Sequence, residues 1–138
     1  MTRSFLDTNV LVYLFDADAP QKKATAQALL EREATRGRAV LSTQVLQEFY
    51  VAVTRKLAEP LPPADAEQAV QSLTKLPVTP VSTTMILMAI RRSRRAQLSF
   101  WDALIVEAAL ASGATRLYTE DLQHGQQMDG VEIVNPFL

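Results

Sequence analysis

The chain has 138 residues and no cysteine; 48% of its residues are hydrophobic, 21% are charged, and the formal net charge is −1. That length suits one domain, able to bury roughly two-thirds of its unfolded surface, and the composition excludes a disordered chain. Without cysteine there are neither disulfides nor thiolate metal sites, so a bound cation must rely on oxygen donors or on the single histidine, His124, which favours hard ions such as Mg²⁺ or Mn²⁺.

In chain order, Ser4 to Leu6 is a short apolar run ending at Asp7 and reads as a buried strand. Asn9 to Phe15 begins a helix, and Pro20 to Arg36 forms a second, with Pro20 in its first turn and Gly37 as its stop. Ala39 to Leu41 reads as a strand. Thr43 to Leu57 is an amphipathic helix with Val45, Leu46, Phe49, Tyr50, Val53 and Leu57 on one broad face. After the prolines at 60, 62 and 63 a helix runs from Ala64 to Lys75, and the Pro-containing Val78 to Val81 suits an edge strand. Ser82 to Arg95 and Ser99 to Ser112 are helices, the latter ended by Gly113, and Arg116 to Tyr118 and Glu132 to Val134 are strands. Short strands alternating with longer helices predict an α/β domain with a mainly parallel sheet. Ligands in such sheets bind beyond the carboxyl ends of the strands. Asp7 follows the first strand and Thr119 and Asp121 follow the Arg116–Tyr118 strand, so pairing of those strands brings two carboxylates to one edge.

Four acids stand out, each with an ordinary alternative. Asp7, in Phe5-Leu-Asp-Thr-Asn-Val, is either a helix N-cap or a functional acid flanked by orienting groups on Thr8 and Asn9. Glu48 has Val45, Val51 and Ala52 as helical neighbours; it is either a boundary residue with its head in water or a ligand reaching the sheet end. Asp102 either closes a capping box with Ser99 or points from the first turn of a buried helix into an acidic cleft. Asp121 is either part of an exposed acidic turn with Glu120 or a fourth acid oriented by Thr119.

Together the four blocks resemble the PIN-domain ribonuclease family, in particular VapC-type toxins of type II toxin–antitoxin systems. The blocks are Phe5-Leu-Asp-Thr-Asn-Val, Ser42-Thr-Gln-Val-Leu-Gln-Glu-Phe-Tyr50, Ser99-Phe-Trp-Asp-Ala-Leu-Ile-Val-Glu-Ala-Ala109 and Leu117-Tyr-Thr-Glu-Asp-Leu-Gln-His-Gly125. They occur in the family's order and span nearly the whole chain. The resemblance implies a single PIN domain over residues 1–138, a three-layer α/β/α fold with a central mainly parallel sheet. It also implies Mg²⁺-dependent (Mn²⁺ as the alternative) endonucleolytic cleavage of RNA, a homodimer, and a cognate antitoxin that blocks the site. By motif match Asp7, Glu48, Asp102 and Asp121 are the catalytic and metal-holding acids, Thr119 takes the hydroxyl position before the last acid, and Glu120 stands as the alternate to Asp121.

That assignment suits the chemistry. Clustered carboxylates repel one another unless a cation neutralises them, and divalent cations offset phosphodiester charge, acidify a water and stabilise the leaving oxygen. With four carboxylates of the −1 total set aside, the remaining scaffold carries +3, so the net charge does not exclude RNA. A haloacid-dehalogenase-type phosphotransferase needs a second aspartate where Asn9 stands, and a receiver domain leaves Glu48 and the Asp102 block without a role. The remaining rivals are an RNA-processing PIN nuclease without an antitoxin and a PIN-like module that binds RNA or protein without cutting.

The rest of the chain reads more plainly. Arg91-Arg-Ser-Arg-Arg95 is a solvated helix end or a phosphate contact, His124 a surface turn, and Tyr50 and Trp101 core residues. No signal-peptide pattern opens the chain and no apolar run reaches membrane length, so a soluble cytoplasmic protein is expected.

Overall fold

Short strands and longer helices alternate along residues 2–138, the part of the chain that the computed structural model describes. The order is β1 (Arg3–Leu6), α1 (Thr8–Val12, prolonged by a 3-10 turn, Tyr13–Phe15), α2 (Pro20–Thr35), β2 (Ala39–Ser42), α3 (Thr43–Arg55), α4 (Pro63–Leu73), β3 (Val78–Thr79), α5 (Thr83–Ala96), α6 (Phe100–Ala111), β4 (Ala114–Tyr118), β5 (Gln127–Met128) and β6 (Val131–Val134). The local signals act as expected at most ends. Pro20 opens α2, and Gly37 follows it at φ +67, a conformation that favours glycine. Ser42 caps α3 by accepting from the Val45 amide, and Ser82 caps α5 by accepting from Met85.

The strands lie in the order β3-β2-β1-β4-β6-β5, all neighbours parallel except the β5–β6 hairpin. Connections β1→β2→β3 step one way across the sheet, and β3→β4 returns past β2 and β1. With right-handed crossovers α1–α4 cover one face and α5–α6 the other, which makes three layers. The direction reverses between β1 and β4, where Phe5 pairs with Leu117 and Leu6 with Tyr118. That is the switch point at which α/β sheets open a crevice.

The core forms between these layers. Phe5, Leu6, Val40, Leu41, Leu117 and Ile133 from the strands are buried, as are Val45, Phe49 and Val53 from α3. Helix α6 is buried at every position from Ala103 to Ala109, including Glu107, so it is a central rather than an amphipathic surface helix. Glu107 is neutralised by Arg92 of α5 at 3.4 Å, and Arg92 also holds Asp129 at 2.7 Å. A second buried acid, Glu33, accepts from the Ser4 hydroxyl at 2.5 Å and pairs with Arg38 at 2.5 Å and Arg32 at 3.1 Å.

Three expectations need correction. The run at residues 91–95 is not uniformly solvated, because Arg92 faces α6 and is buried; Arg94 and Arg95 are exposed in the last turn. Tyr50 and Trp101 are not core residues. They are 39% and 61% exposed, and the buried side of α3 is carried by Val45, Phe49 and Val53 instead. The hairpin strand β5 was not expected. His124 is exposed in its loop, where Nδ1 accepts from the Asn135 amide at 2.9 Å. Among the described residues no helix is long and apolar enough to cross a membrane.

Candidate active site

The turn after β1 sets the first acid. Asp7 leaves the strand in an extended conformation, its amide donates to Tyr118 O at 3.0 Å, and it becomes the N-cap of α1. Its Oδ1 accepts from the Thr8 amide at 2.7 Å and its Oδ2 from the Thr119 hydroxyl at 2.8 Å. The capping alternative is therefore realised, and it does not exhaust the residue. Asp7 is 5% exposed, and burial pushes its carboxyl up to about 7. The Thr119 and Thr8 bonds oppose that rise, while the charges of Asp121 and Glu48 add to it. A cap that served only α1 would gain nothing from two further carboxylates within electrostatic range.

Glu48 arrives from α3. Its Oε1 accepts from the Thr8 hydroxyl at 3.0 Å, and its Oε2 faces the Gln44 side-chain amide at 3.5 Å. That amide also donates to Trp101 O at 3.1 Å, which ties the first turn of α3 to the first turn of α6. The Gln44 Oε1 is buried without a partner among the described residues. Gln44 carries no motif signal, and its only mark in the sequence is its place one helical turn before Glu48.

At the end of β4 the Thr119 hydroxyl accepts from the Asp121 amide at 3.0 Å, and Asn9 Nδ2 donates to Asp121 Oδ2 at 2.9 Å. Glu120 turns to a different set of partners. It accepts from the Tyr13 hydroxyl at 2.5 Å and pairs with Lys22 at 3.1 Å. Its carboxylate is thus satisfied by a phenol and an ammonium, whereas Asp121 has the Asn9 amide and the other acids around it.

Asp102 lies in the first turn of α6, whose cap Ser99 accepts from the Asp102 amide at 3.1 Å. Burial raises the Asp102 carboxyl; the Ser99 side chain lowers it, and Asp121 raises it further. Asp121 is thus the common neighbour of Asp7 and Asp102, and Asp7 also feels Glu48.

Glu48 and Asp121 line a cavity of about 680 Å³, together with Thr8, Asn9, Gln44 and Trp101. Asp7 and Asp102 are not part of that lining; each adjoins a residue that is, Thr8 and Trp101 respectively. Among the described residues no group of three or more His, Asp or Glu side chains is already gathered tightly enough to hold an ion alone. The donors nonetheless suit a hard cation that keeps much of its water. All are oxygens, Asp7 is charged only at a cost without a counter-ion, and Gln44 Oε1 has no partner among the described residues.

Solved structures share this fold at low sequence identity. A toxin–antitoxin complex from Klebsiella pneumoniae superposes with a TM-score of 0.71 at 19% identity, over 96% of this chain and 97% of that one. The Mycobacterium tuberculosis protein VapC20, described as a sarcin–ricin loop cleaving toxin, gives 0.69 at 21% identity, over 86% and 91%. The FitAB complex bound to a DNA fragment gives 0.71 at 19% identity, over 98% and 96%. No curated protein sequence matches the chain. The PIN domain family model matches residues 4–127. With that match over most of its length, the chain belongs to the PIN domain family.

Proposed function

We propose that this chain is a metal-dependent endoribonuclease, the toxin of a toxin–antitoxin pair, and that Asp7, Glu48, Asp102 and Asp121 form its active site. The observation that carries the reading is the buried Asp7 carboxyl at the switch point, raised to about 7 with Asp121 and Glu48 adding to its repulsion. Its role as N-cap of α1 does not account for the two further carboxylates that act on it. A carboxyl in that condition suits a site that acquires positive charge in use. Family membership and the named activities of the neighbouring folds support the same reading.

Asp7, Glu48 and Asp121 would hold Mg²⁺ or Mn²⁺, with Asp102 acting at longer range. When bound, the cation offsets the phosphodiester charge, acidifies a water and stabilises the leaving oxygen. The chain's own groups do the positioning. Thr119 and the Thr8 amide fix both Asp7 oxygens, Asn9 fixes Asp121, and the Thr8 hydroxyl with Gln44 fixes Glu48. Asp102 stands beside the cleft-lining Trp101, its carboxyl raised by burial. Residues 1–138 act as one PIN domain, in the cytoplasm and as a homodimer, with an antitoxin covering the cleft.

The test is cleavage of RNA by purified protein with Mg²⁺ or Mn²⁺, with EDTA, and after restoring the ion. Activity should disappear with EDTA and return with the ion, and Asp102→Asn should lose it while staying folded. Folded wild-type protein that cuts equally well in EDTA, or an equally active Asp102→Asn, would sink the assignment.

A further inference from the structure

The residues between Tyr118, which ends β4, and Gln127, which opens β5, form a loop, and Asp121 lies in it. Main-chain bonds tie the loop near its ends, Thr119 N–H to Val134 O at 3.0 Å and Gly125 N–H to Ile133 O at 2.8 Å. The amides of Glu120 and Asp121 bond to side chains instead, at Asn9 Oδ1 (3.4 Å) and Thr119 Oγ1 (3.0 Å). The placing of Asp121 therefore depends on side-chain ties of the kind that a helix or strand replaces with its own backbone.

Glu120 adds a tie from its own side chain. Its Oε1 accepts from the Tyr13 hydroxyl at 2.5 Å, its Oε2 accepts from Lys22 at 3.1 Å, and Lys22 also donates to the Tyr13 hydroxyl at 3.1 Å. The three groups close a ring in which each touches the other two. Lys22 is seated on aromatic rings as well. Its Nζ lies 4.9 Å from the centre of the Tyr13 ring and 5.7 Å from that of Phe137, whose ring stands edge-on to Tyr13 at 4.9 Å. The Lys22 and Glu120 side chains are 43% and 23% exposed, so the ion pair adds little to stability. What it fixes is geometry.

Tyr13 stands four positions after Asn9, on the same face of α1 and its 3-10 extension. Asn9 holds Asp121 at 2.9 Å and Tyr13 holds Glu120, so two adjacent loop residues are gripped by successive turns of one helix. Asp7 is the N-cap of that helix. One grip leaves the loop free to pivot; two set its orientation against the helix that starts at Asp7.

We propose that Lys22 and Tyr13 are positioning residues of the active site, acting through Glu120 to fix Asp121 relative to Asp7. The inference rests on the reading of Asp121 as an ion-holding acid and adds the groups that place it. The same ring keeps Glu120 occupied. Tyr13, Glu120 and Asp121 all line the cavity, and a released Glu120 would be a competing carboxylate beside the fourth acid.

The test asks whether Lys22 and Tyr13 still matter once Glu120 is gone. Mn²⁺ affinity is read from the concentration dependence of the rise in melting temperature, and amide hydrogen exchange in EDTA reads the loop without any ion. Tyr13→Phe, which keeps the ring against Phe137, Lys22→Met and Glu120→Ala should each weaken Mn²⁺ binding about three- to tenfold, less than the roughly 10–100-fold for a group bonded directly to a ligand. Each should speed exchange at the Glu120 and Asp121 amides, and each should lower kcat for RNA more than it raises KM. Glu120→Gln still hydrogen-bonds to both partners and should keep most of the affinity. Lys22→Met combined with Glu120→Ala should be no worse than Glu120→Ala alone. Losses that multiply in the double variant would assign Lys22 to packing and overturn the proposal. Tighter Mn²⁺ binding by Lys22→Met, with Glu120→Gln as weak as Glu120→Ala, would make Glu120 a ligand and overturn it too, as would wild-type affinity and exchange in all three single variants. If affinity and exchange behave as expected but wild-type protein cuts no RNA with any divalent ion, the positioning role stands and the nuclease reading fails.

Discussion

The Thr119 hydroxyl donates to Asp7 Oδ2 at 2.8 Å and accepts from the Asp121 amide at 3.0 Å, so one side chain sets two acids just beyond the carboxyl ends of neighbouring parallel strands. Thr119→Val keeps the shape and removes the hydroxyl. Loss of a group that orients an acid in such a site costs about 10–100-fold in activity or metal affinity. Cleavage should fall within that range, the far-ultraviolet spectrum should not change, and Thr119→Ser should recover most of the rate. A Thr119→Val variant with wild-type kinetics would remove the hydroxyl from the machinery.

Asp7 predicts a conflict between stability and activity. Its carboxyl is raised to about 7 from 3.8, so the folded state binds this proton more tightly than the unfolded state. Its contribution is fully present below the unfolded value, declines as pH rises, and is lost above the folded value. Asp7→Asn retains a good N-cap and removes the buried charge. The variant should be inactive with the ion present and, in EDTA, more stable than wild type, by on the order of a few kcal/mol at about pH 8 and little at about pH 4. Thermal unfolding at both pH values measures it, and a gain that does not grow with pH would contradict the raised carboxyl.

A cation should stabilise the folded chain. Whatever binds only the native state adds stability by mass action, about 2.7 kcal/mol at a hundredfold excess over Kd. Melting in EDTA against millimolar Mn²⁺ should show a clear rise for wild type and a much smaller one for Asp7→Asn. Equal rises would place the ion away from Asp7.

Glu33 predicts the opposite pH dependence. Burial raises its carboxyl, but the Ser4 hydroxyl, Arg38 and Arg32 together outweigh burial and leave it lowered. A lowered carboxyl contributes stability above the unfolded value near 4.5 and loses it as pH falls through the folded value. Glu33→Gln should cost about 1.5–3 kcal/mol at neutral pH, the range for hydrogen bonds to charged groups, without altering cleavage per folded molecule. Its acid unfolding should also be flatter than that of wild type. A variant as stable as wild type at neutral pH would show that the cluster adds nothing.

Much of this was legible in the sequence because the signals were local. Pro20, Gly37 and the serine caps fix helix ends by their own stereochemistry, and Asp7 and Thr119 follow apolar runs that became parallel neighbours. What escaped depended on partners distant in sequence. Arg92 was hidden inside a basic run, and its burial follows from Glu107 and Asp129. Tyr50 and Trp101 looked like core because they lie among apolar residues, but hydropathy does not reveal which part of a helix face another layer covers. The different partners of Glu120 and Asp121 also escaped, because Tyr13 and Lys22, which hold Glu120, lie far upstream. The β5–β6 hairpin did leave a signal. Asp129-Gly130 carries the two positive φ angles, 51° and 94°, that suit the tightest hairpin turns.

The adjacency of the first and fourth strands also has a consequence in time. Asp7 and the hydroxyl that orients it stand 112 positions apart, and chains emerge amino end first during synthesis. The first acid leaves the ribosome well before the strand it pairs with. Until β4 docks there is neither Thr119 nor Asp121 beside it, so the growing polypeptide has only part of a site. The candidate site is therefore incomplete on the growing chain until β4 and the residues just after it have been made.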